Sequence, residues 1–520
     1  MTTTPVRPPR VESAPTIVAR RPWLALAAVL AGSFLHIFDL MVITVAVPSI
    51  RDDLHASAAA AQWMLAGYTL PFALLLITSG RLGDAIGRRW MVLAGSFGFT
   101  VASVLCAVAS DPSVLITGRI LQGASAAAMS PQVLPVIMLL FPAARRIAAL
   151  GAQAGVIAVA TVSGPVIGGL LVQADIAGLG WRSIFLLNVP VGLFTVLAGV
   201  RWLPRNDTVL GRVRLDLGSV ALASLGLLML IFPLVQGRDL GWPLWTFGLL
   251  AGSVPVLILT MRRQRSGDFP LIAVSLFRVR AFVAGSAANF LVMGAVAAFF
   301  LVFVMYMQSG LGYGPAEIGI TMASFALAAG AASGASVPLA RKVGRPMLVT
   351  GALLMALGMA LLLAVLLVQG STLAASAVAA CLALVGIGMG LLSPPLYNLT
   401  LTDVPAEDVG SASGVFGTLA QVGSALGVAT IGALFFGLLT TLASPARLGP
   451  CLATTPLTEG TQAVLDHCAP NPTAATMLAD HAHAAFTSAT AVTVAVQILC
   501  YLVVAALLTR FLPKHPTPRP

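Results

Sequence analysis

The chain has 520 residues, of which 58% are hydrophobic and only 9% charged, with mean hydropathy +0.96 and net charge +11. A soluble globular chain carries roughly 25% charged residues, so water is excluded as the main solvent. The basic residues stand in short clusters between hydrophobic stretches, not along one amphipathic face, which excludes nucleic acid as the partner and marks them as topology signals.

A spanning helix needs about 20 mostly apolar residues, because in hydrocarbon every backbone amide must be satisfied within its own segment. Fourteen such stretches follow one another. Helices 1 to 7 are expected at 23–48, 60–79, 90–109, 113–141, 147–173, 181–203 and 215–236. Helices 8 to 14 are expected at 243–262, 280–307, 318–338, 346–368, 372–398, 410–438 and 485–511. Helix 1 lacks a small-residue cleavage site and exceeds the apolar length of a signal peptide, so it is expected to stay in the mature protein. With the N-terminus inside, 24 of the 29 Lys and Arg residues fall on the inner side. Four lie outside (Arg51, Arg182, Arg238 and Arg447), and Arg119 falls within a span. Loops facing the cytoplasm collect Lys and Arg, so this asymmetry favours an even number of spans with both termini cytoplasmic.

Three landmarks recur at similar offsets. Ile86-Gly87-Arg88 matches Val343-Gly344-Arg345; Gly123 with Ser130-Pro131 matches Gly386 with Ser393-Pro394; Gly164 and Gly168 match Gly423 and Gly427. Their agreement makes helices 1–6 and 9–14 equivalent bundles, with helices 7 and 8 inserted. The expected fold is therefore all-α, with a cytoplasmic tail at 1–22, a six-helix bundle at 23–203, a two-helix insert at 204–265, a second six-helix bundle at 266–511, and a tail at 512–520. The second bundle includes an external loop at 439–484. Cys451 and Cys468 lie in that loop, where oxidation is possible, and a disulfide between them is expected. No metal-ligand spacing occurs, and His481 with His483 reads as polar loop.

Charges at membrane depth cost about 2.5 to 3.5 kcal/mol by insertion scales, so each is a functional candidate. Asp39 in helix 1 lies roughly 14 Å below the outer boundary and Arg119 in helix 4 about 9 Å, at 1.5 Å per residue. One reading has Asp39 exchange a proton while Arg119 favours its ionised form; the other is a static ion pair that fixes packing. His36, one turn inward on the same face, either relays the proton or hydrogen-bonds a carbonyl. The loop after helix 2 carries Gly80, Asp84, Gly87, Arg88 and Arg89, which suits either a cytoplasmic latch between bundles or a plain turn. In helix 5, Gly151, Gly164, Pro165, Gly168 and Gly169 suit close packing with a bend. Phe38, Gln122, Trp63, Tyr68, Asn289, Phe303 and Tyr306 are the candidates for lining a substrate cavity. No nucleophile with a partnered base, phosphate loop or metal set points to an enzyme.

Together these segments resemble the major facilitator superfamily, and within it the fourteen-helix drug:proton antiporters of the EmrB/QacA type. The resemblance rests on Asp39-Leu40-Met41-Val42-Ile43-Thr44-Val45-Ala46-Val47-Pro48 in helix 1. It rests further on Gly80, Leu82, Asp84, Gly87, Arg88 and Arg89 after helix 2, with Ala85 in place of the usual basic residue, and on Arg119, Gln122 and Gly123 in helix 4. In helix 5 it rests on Gly151, Gly164, Pro165, Gly168 and Gly169, with Ala160 where glycine is typical, and at the start of helix 6 on Trp181-Arg182-Ser183-Ile184-Phe185-Leu186-Leu187-Asn188-Val189-Pro190-Val191-Gly192. It implies alternating access, proton antiport and export of drugs or metabolites across the cytoplasmic membrane, with protons as coupling ion and no cofactor. Asp39 is the only acid well inside the bilayer, so monocationic, neutral or zwitterionic lipophilic substrates are expected, carried by a monomer. Import of a specific metabolite, or sensing without transport, are the other readings the sequence leaves. One charge crossing about 100 mV supplies about 2.3 kcal/mol, enough for a roughly fifty-fold gradient of a neutral substrate.

Overall fold

The structure, a computed structural model, describes residues 21–205, 217–237, 240–265, 274–370, 373–402, 404–405, 408–442, 461 and 472–511. Among them are fourteen helices long and apolar enough to cross a membrane, and no strand. The first seven are α1 Pro22–Asp53, α2 Ala58–Ile86, α3 Arg88–Ala107, α4 Pro112–Leu140, α5 Ala143–Ala174, α6 Arg182–Trp202 and α7 Leu217–Gln236. The rest are α8 Leu244–Arg265, α9 Arg280–Met305, α10 Pro315–Val343, α11 Arg345–Gln369, α12 Ala375–Thr402, α13 Val409–Leu442 and α14 Pro472–Phe511. Cys451 and Cys468, and hence the expected disulfide, lie outside the described residues.

Two elements differ from the sequence reading. Residues 80–86 continue α2, and Gly87 alone, at φ 102°, turns the chain into α3. Gly80 serves a close helix crossing instead: any side chain there would strike the carbonyl of Gly410. The last helix begins at Pro472, well before the apolar run, so part of the expected external loop is helical. Within α4 the Ser130-Pro131 pair tightens Ser130–Gln132 into a 3-10 turn, and Gln132 Nε2 donates to the Ser79 carbonyl of α2 at 2.8 Å.

The packing pairs repeat along the chain. α1 packs on α5 and α6, α4 on α2 and α3, and α3 on α6; α9 packs on α13 and α14, α12 on α10 and α11, and α11 on α14. The sequence landmarks hold equivalent places in these pairs. Gly123 packs on the Tyr68 carbonyl of α2 and Gly386 on the Phe325 carbonyl of α10. Gly164 and Gly168 pack on Phe38, Met41 and Val42 of α1; Gly423 and Gly427 pack on Phe290 and Gly294 of α9. Gly87 and Gly344 both turn one helix into the next with positive φ. Helices in lipid gain little from hydrophobic exclusion, so such backbone approaches supply the van der Waals contact that holds them. α7 pairs with α8 and touches α2 and α13.

The bundles meet through α2 with α13 and α5 with α10. The end at which α1 begins and α14 finishes carries Arg81, Arg88 and Arg89 and is termed the basic end. There Ile77 and Leu76 of α2 face Gly414 of α13, and Gly151 of α5 faces Gly334 of α10.

Candidate functional site

A carboxylate inside a bundle needs donors from the protein, and five helices supply the surroundings of Asp39. Asp39, Arg119 and Gln122 are 0% exposed and Asn188 1%. Arg119 Nη1 forms a short ion pair with Asp39 Oδ2. Asp39 Oδ1 accepts from Gln122 Nε2 at 3.2 Å and from Asn188 Nδ2 at 2.9 Å. Arg119 is held independently of the acid: Nε donates to the Met64 carbonyl at 3.0 Å, Nη1 to Gln122 Oε1 at 2.9 Å, and its guanidinium lies 4.5 Å over the Tyr68 ring. Ser103 Oγ receives Gln122 Nε2 at 2.8 Å and Asn188 Nδ2 at 3.4 Å, tying α3 to the node. Arg119 Nη2 and Asn188 Oδ1 are buried without partners.

The structure thus brings Asp39 and Arg119 together, as their shared depth predicts, and adds Gln122, Ser103 and Asn188. Ser103 carries no sequence signal, being one small polar residue in an apolar run. Asn188 stands in the helix 6 motif, whose partner becomes visible only when α6 packs on α1. The ring of His36 stacks on Phe72 at 5.4 Å, its Nδ1 is buried without a partner, and its carbonyl accepts from Tyr68 Oη at 3.3 Å.

The second bundle has no charged counterpart. The glycine contacts set the correspondence: Leu382 and Val385 stand where Arg119 and Gln122 do, Phe325 replaces Tyr68, and Leu291 replaces Asp39. Leu382 and Val385 are fully buried in an apolar core.

A second cluster lies at the basic end. Asp84 is 0% exposed, pairs with Arg88 Nη2 at 3.2 Å, and sets its carboxylate against Gly410 at the amino end of α13, whose dipole favours an anion. Arg81 reaches Asp408 across the bundle boundary at 3.2 Å. Arg89 donates to the carbonyls of Leu203 and Val200, both at 2.8 Å, fixing α3 to the end of α6. At the opposite end Asp53 accepts from Arg182 at 2.7 Å and from Trp181 at 3.0 Å, and both bonds hold its carboxyl below the usual carboxylate range.

The residues considered for a substrate cavity are dispersed. Phe38, Tyr68, Phe303 and Tyr306 pack in bundle cores, and Gln122 is consumed by the node. Asn289 is buried and donates to the Phe416 carbonyl at 3.5 Å, and Tyr306 Oη to the Gly370 carbonyl at 3.3 Å. Trp63 lines a cavity of about 250 Å³ with Gly67, Pro71 and Leu74 of α2, Ile120 of α4 and Ser224 of α7. Its ring lies 5.9 Å from Phe232 of α7. In α5, Gly164 and Gly168 form the seam with α1, Gly169 approaches Val45, and Gly151 meets the other bundle. Among the described residues no group of three His, Cys, Asp or Glu side chains forms a metal site.

Comparison with known proteins bears on the fold and the family. A probable actinorhodin transporter of Streptomyces coelicolor is 39% identical over 438 residues, covering 83% of this chain and 75% of that protein. A tetracenomycin C resistance and export protein of Streptomyces glaucescens is 32% identical, covering 80% and 76%. The inward-facing, occupied crystal structure of a bacterial homolog of the human lysosomal transporter Spinster shares the fold, at TM-score 0.57 and 17% identity, over 96% of this chain and 99% of that one. The family model described as Major Facilitator Superfamily matches residues 29–428, a span that holds both the ionic node and the basic-end cluster. On that match, and on two bundles built from repeated helix pairs, the chain belongs to the Major Facilitator Superfamily.

Proposed function

We propose that the protein is a proton-coupled antiporter that exports small lipophilic antibiotics or related metabolites across the cytoplasmic membrane. The observation that carries this reading is the Asp39–Arg119 pair, sealed from solvent inside the first bundle, in which Arg119 also donates to neutral acceptors, the Met64 carbonyl and Gln122 Oε1, that do not depend on the carboxylate's charge. In this account the basic end faces the cytoplasm, α1–α6 and α9–α14 are the moving bundles, and α7–α8 are an insert.

Protonation of Asp39 removes the anion opposite Arg119, while the guanidinium keeps Met64, Gln122 and the Tyr68 face. The strongest tie between α1 and α4 is then weakened without leaving an unsupported cation. α1 rides on α5 through Gly164 and Gly168, and α5 meets α10 at Gly151, so a small shift of α1 reaches the interface between bundles. At the basic end Asp84 and Arg81 latch that interface on α13. Release of the latch opens the cytoplasmic side to substrate; a proton taken from outside and given up inside drives the cycle.

Asp39, the acid well inside a span, supports monocationic, neutral or zwitterionic substrates over dications, and the antibiotics in the relatives' names supply the first probes. Inside-out vesicles with an acidic lumen are expected to accumulate actinorhodin or tetracenomycin C and to lose lumenal protons as they do. Accumulation driven by the opposite gradient would make the protein an importer and overturn the proposal.

A further inference from the structure

We infer that Asn188 is a positioning residue that holds Asp39 in both of its protonation states. This rests on the reading of Asp39 as the coupling acid. Asn188 Nδ2 donates to Asp39 Oδ1 at 2.9 Å, while its own Oδ1 is buried and has no donor. A buried acceptor left unpaired is costly, and its presence beside an acid points to a second state in which it is used. Protonated Asp39 supplies the missing donor. Within the node Gln122 Oε1 already accepts from Arg119 and Cys106, and Ser103 Oγ already receives two donors. Asn188 Oδ1 is the acceptor left over.

An amide carries donor and acceptor on one planar group, so rotation about Cβ–Cγ exchanges them without moving the helix. The proton comes from water and stays on Asp39; no other bond is made or broken. The other ionisable groups around the acid are Arg119 from α4, Cys106 from α3, Tyr68 from α2 and His36 one turn along α1. α5 meets α1 through glycines and α6 meets the acid through Asn188, none of them titratable.

The repeat provides a matched position without an acid. α6 closes with Arg201-Trp202-Leu203-Pro204, and α14 leads into Arg510-Phe511-Leu512-Pro513; Asn188 and Gln497 each stand thirteen residues before that arginine. Gln497 is 0% exposed, and both its side-chain polar atoms lack partners. Leu291 occupies the place of Asp39 there, so the amide has no carboxylate to serve.

The test is pH-titrated infrared difference spectroscopy of the full chain in lipid, following the carboxylic-acid C=O band that Asp39→Asn removes. In Asn188→Leu the midpoint of that band is expected to move to higher pH by about one unit, a roughly tenfold gain in proton affinity, because the bond to the ionised form is the stronger of the two lost. Asn188→Ser, smaller and still polar, is expected to shift in the same direction by less and serves if the leucine variant does not fold. Gln497→Leu is expected to leave the midpoint in place. If Asp39→Asn removes no titrating band, the assignment of Asp39 itself fails. If the band is present and Asn188→Leu and Asn188→Ser leave it unmoved, or Gln497→Leu moves it equally, the inference about Asn188 fails.

Discussion

Asp39 accepts from three donors on three side chains, and a carboxylate so placed is expensive to strip of its cation. Arg119→Ala leaves that charge buried, and breaking a buried pair from one side costs about 3–5 kcal/mol. The variant is expected to melt at lower temperature at pH 8 than at pH 5, because acid neutralises the stranded carboxylate; Asp39→Asn with Arg119→Ala is expected to recover part of the loss. Equal melting shifts at both pH values would show that Asp39 carries no charge in the folded protein. Asp39 and Arg119 were legible in the sequence because a charge among apolar residues has few innocent explanations. Ser103 and Asn188 were not. Neutral polar residues are common in spans, and their meaning depends on which faces of α3 and α6 turn inward, a property of packing. His36 marks a limit of reading by helical periodicity, since three residues' spacing from Asp39 puts it on the same face yet against Phe72.

Among the helices, glycine spacing specifies which pairs approach closely. Gly168 packs on Val42 of α1, whereas Gly155 on the same helix has open space around it. Gly168→Val is therefore expected to destabilise by about 1–3 kcal/mol, the range for overpacking, and Gly155→Val by much less, as thermal denaturation in detergent would report. The sequence repeat foretold these crossings because backbone contact tolerates only glycine. It misplaced the end of α2 for the same reason, since glycine there serves a crossing and not a turn. At the end opposite the basic end Asp53 joins α1 to α6. Its carboxyl is held below the usual range, so its stabilisation is present through neutral and mildly acidic pH and disappears only as pH falls through that depressed titration. Asp53→Asn is expected to lower the melting temperature slightly and by the same amount at pH 8 and pH 5. A difference between the two would show that Asp53 titrates in that interval.

At the level of the molecule, the buried ion pair of the node stands in one of two similar bundles. The second repeats the helix pairs but fills the node with Leu291, Phe325, Leu382 and Val385, so it offers no acid at the place of Asp39. The bundles touch at the basic end, where Gly151 and Gly334 approach and Asp84 lies against α13. Cysteines placed at 151 and 334 are expected to crosslink readily without substrate, and less readily when Asp84→Asn weakens the latch; an unchanged yield would deny Asp84 that role. The central claim is that Asp39 couples the proton gradient to movement of these bundles. The most direct measurement is actinorhodin accumulation in inside-out vesicles carrying wild type or Asp39→Asn, under an imposed pH gradient. The account predicts that the variant loses gradient-driven accumulation while still exchanging substrate down its own gradient; accumulation equal to wild type would contradict it.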